Sequence, residues 1–138
     1  MLRRVLSICL AVVIAGSCAR PMGVEQFIAA GDATDGPYEF AVDLRDTSFV
    51  YDIAFYSRVD GPLLSAPVQL PIEVRWTSPS GKEYEEEVCM RAVGRNGSRE
   101  DYRTDIEPYE YGIWTLSLSP SNPPDGLRGL GVICTMKN

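Results

Sequence analysis

Apolar and polar positions alternate with a period of two along most of this chain. Tyr38, Phe40, Val42 and Leu44 alternate with Glu39, Ala41 and Asp43, the pattern of a strand with one buried face. After a polar break at 45–48, residues 49–56 are apolar on both faces except at Asp52, which predicts a strand inside a sheet. Val68, Leu70, Ile72, Val74 and Trp76 then alternate with Gln69, Pro71, Glu73, Arg75 and Thr77. Proline cannot donate to a sheet ladder, so Pro71 predicts an edge strand or a bulge there. Ser78-Pro79-Ser80-Gly81 is a tight turn, and residues 82–91 return from it with Tyr84, Glu86, Val88 and Met90 on one face.

The second half repeats this grammar. Residues 95–98 form a polar loop and 102–106 a weak strand. Residues 112–119 place Trp114, Leu116 and Leu118 on one face, and 119–126 read as the longest loop. Residues 127–136 close the domain with Leu130, Val132, Cys134 and Met136 together. The expected architecture over 37–138 is an all-β antiparallel sandwich of about seven strands, jelly-roll or immunoglobulin-like. Trp76 and Trp114, in register with aliphatic neighbours, are expected in its core.

The N-terminus carries a different signal. Arg3 and Arg4 precede an apolar run from Val5 to Ala15, too short to span a bilayer as a permanent helix. Residues 1–17 are expected to be a secretory signal. Ala15-Gly16-Ser17 before Cys18 resembles the bacterial lipobox, which implies cleavage before Cys18, acylation (a palmitate-type modification) and attachment to membrane through that residue. Ala19 after the cysteine favours the outer membrane, on its periplasmic or surface face. Residues 18–36 are then the lipidated cysteine and a tether whose sole helical hint spans 24–30.

Composition narrows the chemistry. The 138 residues contain no histidine, which excludes Ser-His-Asp and Cys-His catalysis and histidine-based zinc sites. The net charge of −6, moving to −8 once Arg3 and Arg4 leave with the signal, argues against nucleic acid as a partner. Acidic residues gather at Glu83, Glu85, Glu86 and Glu87, and again at Glu100, Asp101, Asp105 and Glu107. Calcium or glycosidase chemistry could use such groups. No metal-ligand spacing appears, however, and strand-borne glutamates ordinarily face solvent, so no metal, cofactor or catalytic residue is expected. Cys89 and Cys134 remain in the mature chain. They either close a disulfide or stay separate thiols, and their periodicity favours the latter, with Cys134 inward and Cys89 on the polar side. Tyr102, Tyr109 and Tyr111 form an aromatic and charged stretch suited to partner binding, with ordinary strand packing as the bland alternative.

Several segments together resemble the GldH-like gliding-motility lipoproteins of Bacteroidetes. They are the lipobox, Tyr51-Asp52-Ile53-Ala54-Phe55-Tyr56-Ser57-Arg58, Thr77-Ser78-Pro79-Ser80-Gly81, and Leu127-Arg128-Gly129-Leu130-Gly131-Val132. Members of that family often carry a His-Gly-Met-Arg-like stretch before the last strand, where this chain has Ser119-Pro120-Ser121-Asn122-Pro123-Pro124. The resemblance implies a lipid-anchored β-sandwich of the envelope, without known catalytic residues. The expected function is a non-enzymatic structural or protein-interaction component with an envelope protein partner. A carbohydrate-binding lipoprotein of a glycan-uptake system is the alternative, and an enzyme using paired carboxylates a third.

Overall fold

The computed structural model describes residues 22–33, 36–60, 68–92 and 97–138. The expected signal 1–17, the lipidation site Cys18 and residues 19–21 lie outside the described residues. The strands are β1 (Met22–Ala29), β2 (Tyr38–Leu44), β3 (Val50–Val59), β4 (Val68–Thr77), β5 (Glu83–Ala92), β6 (Ser98–Ile106), β7 (Gly112–Pro120) and β8 (Leu127–Lys137). A single 3-10 turn at Ala30–Asp32 follows β1.

Two antiparallel four-stranded sheets pack face to face, in the orders β1-β8-β3-β6 and β2-β7-β4-β5. The pairs β1–β8, β2–β7, β3–β6 and β4–β5 are those of one long hairpin with its tip between β4 and β5. Rolling that hairpin up brings β8 beside β3 and β7 beside β4. The result is a jelly roll, not the immunoglobulin-like alternative. Eight strands lie among the described residues against the expected about seven, because the chain before Tyr38 contributes one.

That extra strand corrects two expectations. Residues 22–29 form a sheet edge and not tether, and the helical hint over 24–30 is strand as far as Ala29, with Ala30 opening the 3-10 turn. Val24, Phe27 and Ile28 sit three and four apart, which mimics a helical stripe. Their apolar character has two separate causes. Ile28 packs beside the core, while Phe27, at 47% exposure, lies on the opposite face edge-on to Tyr56. Gln26, on the inner side, crosses to the other sheet and donates to the Ala41 carbonyl at 2.7 Å.

Elsewhere alternation becomes burial directly. Along β2, Tyr38, Phe40, Val42 and Leu44 are buried and the residues between them are exposed. Their buried faces meet Leu70, Ile72, Val74, Leu116 and Leu118 of the same sheet, and Tyr51, Ile53, Phe55, Leu130 and Val132 of the facing one, in one core. β4 is a central strand, which corrects the edge or bulge expected from Pro71. Its pairing with β7 begins at Ile72, opposite Pro120. The Pro71 carbonyl accepts from Ser121 N at 3.0 Å, so the nitrogen on that same side points past the end of the β7 ladder. The missing donor falls where regular strand pairing stops.

Cys89 and Cys134 are free thiols. Cys89 is exposed on β5 and bonds Gln69 Oε1 at 3.0 Å, while Cys134 is buried on β8 of the opposite sheet. Burial pushes the Cys134 thiol up to about 11, so at pH 8 it is protonated as well as shielded. Brief alkylation of the native protein at pH 8 is expected to label Cys89 and spare Cys134 until denaturant is added. Equal labelling of both in the native state would contradict this packing.

Candidate functional site

The two sheets part between their outermost strands β5 and β6, leaving a cleft of about 440 Å³. This lies within the size range of ordinary ligand sites, roughly 300–1,000 Å³. It opens at the end of the sandwich where β2, β4 and β6 finish and β1, β3, β5 and β7 begin. Buried Leu44 and Ile53 form its base, and exposed Tyr84 and Tyr109 stand at its mouth. Trp76, Tyr102 and Trp114 line the walls.

The cleft follows from how β5 leaves the core. Its inward residues run from buried Met90, through half-buried Val88 and Glu86, to Tyr84 at 45% exposure. Tyr84 lies opposite Trp76 in register, and Trp76 lies opposite Leu116. From the other sheet, Tyr102 stacks on Phe55 at 4.4 Å between ring centroids and accepts a hydrogen bond from Trp76 Nε1 at 3.2 Å. The β3–β6 register slips between Tyr51 and Ile53 and again between Ile53 and Ala54. Such bulges re-aim side chains, and here the neighbouring Tyr102 and Arg103 both reach the cleft. Asp105, at φ 55°, is held there by Asp52, whose Oδ1 accepts its N–H at 2.8 Å. Lys137 pairs with both carboxylates, at 3.0 Å and 2.7 Å. The bond from the Asp105 N–H, followed by Lys137, lowers the Asp52 carboxyl below its ordinary range.

The mouth is fixed by the loop between β6 and β7. Trp114 Nε1 donates to the Glu110 carbonyl at 2.9 Å, and Ser80 Oγ donates to the Glu110 carboxylate at 2.8 Å. The β4–β5 turn presses on the same loop, since a Cβ on Gly112 would stand 2.5 Å from Pro79 Cγ. Tyr109 is thereby held at 5.4 Å and 89° to Trp114, and at 5.9 Å and 69° to Tyr84. The Tyr84 hydroxyl donates to that of Tyr109 at 2.7 Å, and this bond raises the Tyr84 pKa above its ordinary value. The Tyr84 phenol is thus a protonated donor at neutral pH, unsuited to act as a base.

Charge is confined to the rim. Arg103 lies over the Tyr102 ring at 5.1 Å and bonds Glu86 at 2.9 Å, joining β6 to β5. Arg75 holds Glu85 at 2.6 Å. Glu107 also lines the mouth and has no ion-pair partner among the described residues. Nor do three carboxylates or thiols among the described residues gather as a metal site would require. A second hollow of about 530 Å³ opens beside β1 and β2. Its polar groups satisfy one another there, as Arg45 with Asp43 and Tyr51 with the Asp46 backbone.

Of the residues singled out from sequence, Tyr102 and Tyr109 meet in the cleft, while Tyr111 is exposed and outside its lining. Trp114 is core, at 7% exposure, but Trp76 is only half-buried and forms a wall, which corrects its expected core position. Tyr84 and Arg103 were not foreseen. The inward face containing Tyr84 was legible, but its loss of cover depends on how the two sheets separate. No protein-family model and no curated protein matches the chain.

Proposed function

We propose that this chain is a lipid-anchored, non-enzymatic envelope component, GldH-like in kind, that binds a protein partner through the aromatic cleft. The carrying observation is the ring geometry. Three ring pairs of the cleft meet edge to face, at 69°, 89° and 81°, while Trp76 and Tyr102 lie at 27° and Tyr84 and Trp114 at 36°, and together the rings enclose an apolar base. That arrangement suits a side chain inserted from a partner, as in the buried pockets that dominate protein interfaces. Sugar rings stack on flat rows of exposed aromatic faces, and the two exposed rings of the cleft, Tyr84 and Tyr109, stand at 69° to each other, so the carbohydrate-binding alternative fits less well. The two carboxylates that do approach each other, Asp52 and Asp105, are both tied to Lys137 outside the cleft lining, unlike an acid–base pair converging on a bound substrate.

Anchoring comes from Cys18 and the outer membrane from Ala19. Because β1 starts at Met22, only three residues separate an acylated Cys18 from the sandwich. Four residue steps reach at most ~14 Å, so the domain would ride close against the bilayer. β1 begins at the end of the sandwich that carries the cleft, which turns the cleft mouth toward the membrane zone.

Mass spectrometry of membrane-extracted protein is expected to find an acylated N-terminal Cys18; a mature, unmodified N-terminus elsewhere would overturn the anchor. In intact cells a photo-crosslinker at position 109 should capture a reproducible envelope protein. One at position 113, where Ile113 is exposed outside the cleft, should not. Equal capture from both positions would remove the cleft from the interface, and turnover of a glycan or peptide by purified protein would refute the non-enzymatic reading.

A further inference from the structure

We propose that the cleft takes an uncharged, proline-rich segment of its partner in the polyproline conformation, with pyrrolidine rings seated among Trp76, Trp114 and Ile53. The proposal rests on the protein-binding reading of the cleft and supplies the chemistry of its ligand. The selecting observation is a one-sided demand for hydrogen bonds. Tyr102 Oη accepts from Trp76 Nε1 at 3.2 Å, and Tyr109 Oη accepts from the Tyr84 hydroxyl at 2.7 Å. Each of these two phenols keeps its own proton, and neither proton has an acceptor among the described residues. Both indole N–H groups are already engaged, one by Tyr102 and the other by the Glu110 carbonyl. The rings therefore still offer an occupant two donors. The side chains of the base, Leu44, Ile53 and Ile106, offer nothing that accepts.

Charge at the rim is balanced. Arg75 and Arg103 pair with Glu85 and Glu86. Glu107 in the lining and Lys82, 6.0 Å over the Tyr109 ring, then add one charge of each sign. Complementarity of charge thus favours an occupant that is itself neutral.

The occupant's backbone must also be self-sufficient. β5 and β6 are joined across the gap, since the Arg91 N–H donates to the Glu100 carboxylate at 2.9 Å and Arg103 bonds Glu86 at 2.9 Å. The cleft is therefore no free strand edge on which a β-segment could pair. An ordinary peptide would bring N–H groups to the apolar base, and each costs free energy when buried without an acceptor. Proline has no N–H and keeps its carbonyl, so a run of prolines brings acceptors alone, matching the two phenolic donors. The polyproline helix needs no hydrogen bonds of its own. It is formed before binding, so little order has to be imposed. Pyrrolidine rings also dock in aromatic-lined grooves elsewhere. A hydrocarbon chain has no acceptor for the phenols, and a sugar brings hydroxyl donors that the base cannot answer.

The test uses the full chain in nonionic detergent, read by fluorescence, because both tryptophans of the protein line the cleft. The probes are acetylated, amidated hexaproline, the matching hexaalanine, and cellohexaose. Hexaproline is expected to bind about ten-fold tighter than hexaalanine. Tyr84→Phe and Tyr109→Phe break the same hydrogen bond, but only the second removes a free phenolic proton. Y109F should therefore weaken hexaproline binding about five-fold, the size of one hydrogen bond, while Y84F leaves it within about two-fold. E107Q should leave it unchanged, since no charge is involved. Equal affinity for hexaalanine, equal losses in Y84F and Y109F, or a loss in E107Q would each overturn the proposal. Cross-linking at position 109 that persists alongside any of those three results would leave protein binding standing and remove only this ligand chemistry. Tighter binding of cellohexaose than of hexaproline would overturn both the proposal and the protein-binding reading beneath it.

Discussion

Replacing Trp114 by alanine is expected to cost the domain about 3–5 kcal/mol, the usual range for truncating a large buried aromatic. Trp114 sits on β7, a central strand, at 7% exposure, edge-on to Trp76 and Tyr109. Its indole N–H also holds the Glu110 carbonyl. The void left by truncation would join the existing cleft, so water can enter it and satisfy Glu110. That relief argues for the lower half of the range. Trp76→Ala should cost less, about 1.5–3 kcal/mol at most for a side chain that is only half removed from water. Total stability for a domain of this size is ~5–15 kcal/mol, so both changes shift a urea midpoint measurably. The order matters more than the values. A Trp76 substitution that destabilises as much as the Trp114 one would mean that the cleft is closed and Trp76 is core.

The difference between those two tryptophans marks where sequence reading stops. Alternation puts each on an inward face, and both do face inward. Whether an inward face is covered depends on the separation of the sheets at that point, a long-range property that no local window contains. The same limit explains the cleft. Tyr84 and Met90 share one face of β5, yet one is exposed and the other buried. The strands themselves were largely legible, since β2, β4 and β7 bury one face each and alternate accordingly. β6 read as short because its first four residues, Ser98-Arg99-Glu100-Asp101, are all polar and give no apolar alternation. The separate fates of Cys89 and Cys134 also followed from periodicity, because a thiol on the polar face of one strand cannot meet one on the core face of another.

The first strand was illegible for a specific reason, and that reason makes a prediction. Gly131→Leu is expected to destabilise the domain by about 3 kcal/mol or more, at or above the upper end of ordinary overpacking. β1 and β8 approach closely where β8 carries Gly129 and Gly131, opposite Ala29 and Phe27. A Cβ on Gly131 would stand 2.6 Å from the Gln26 carbonyl oxygen, a backbone atom that cannot swing aside, and 3.4 Å from the Phe27 ring. A leucine there must therefore push β1 off the sheet edge. Val24, Gln26 and Ile28 would leave the inner side together, and the Gln26 bond to Ala41 would break. Phe27→Ala is the milder companion, because it removes the ring that covers the two glycines and leaves the backbone pairing in place. Hydrogen exchange separates the two outcomes. Gly131→Leu should lose protection across residues 22–29 while the β2, β4 and β7 amides stay protected until global unfolding. Unchanged protection of β1 in that variant would show that the first strand does not depend on the close approach at Gly131.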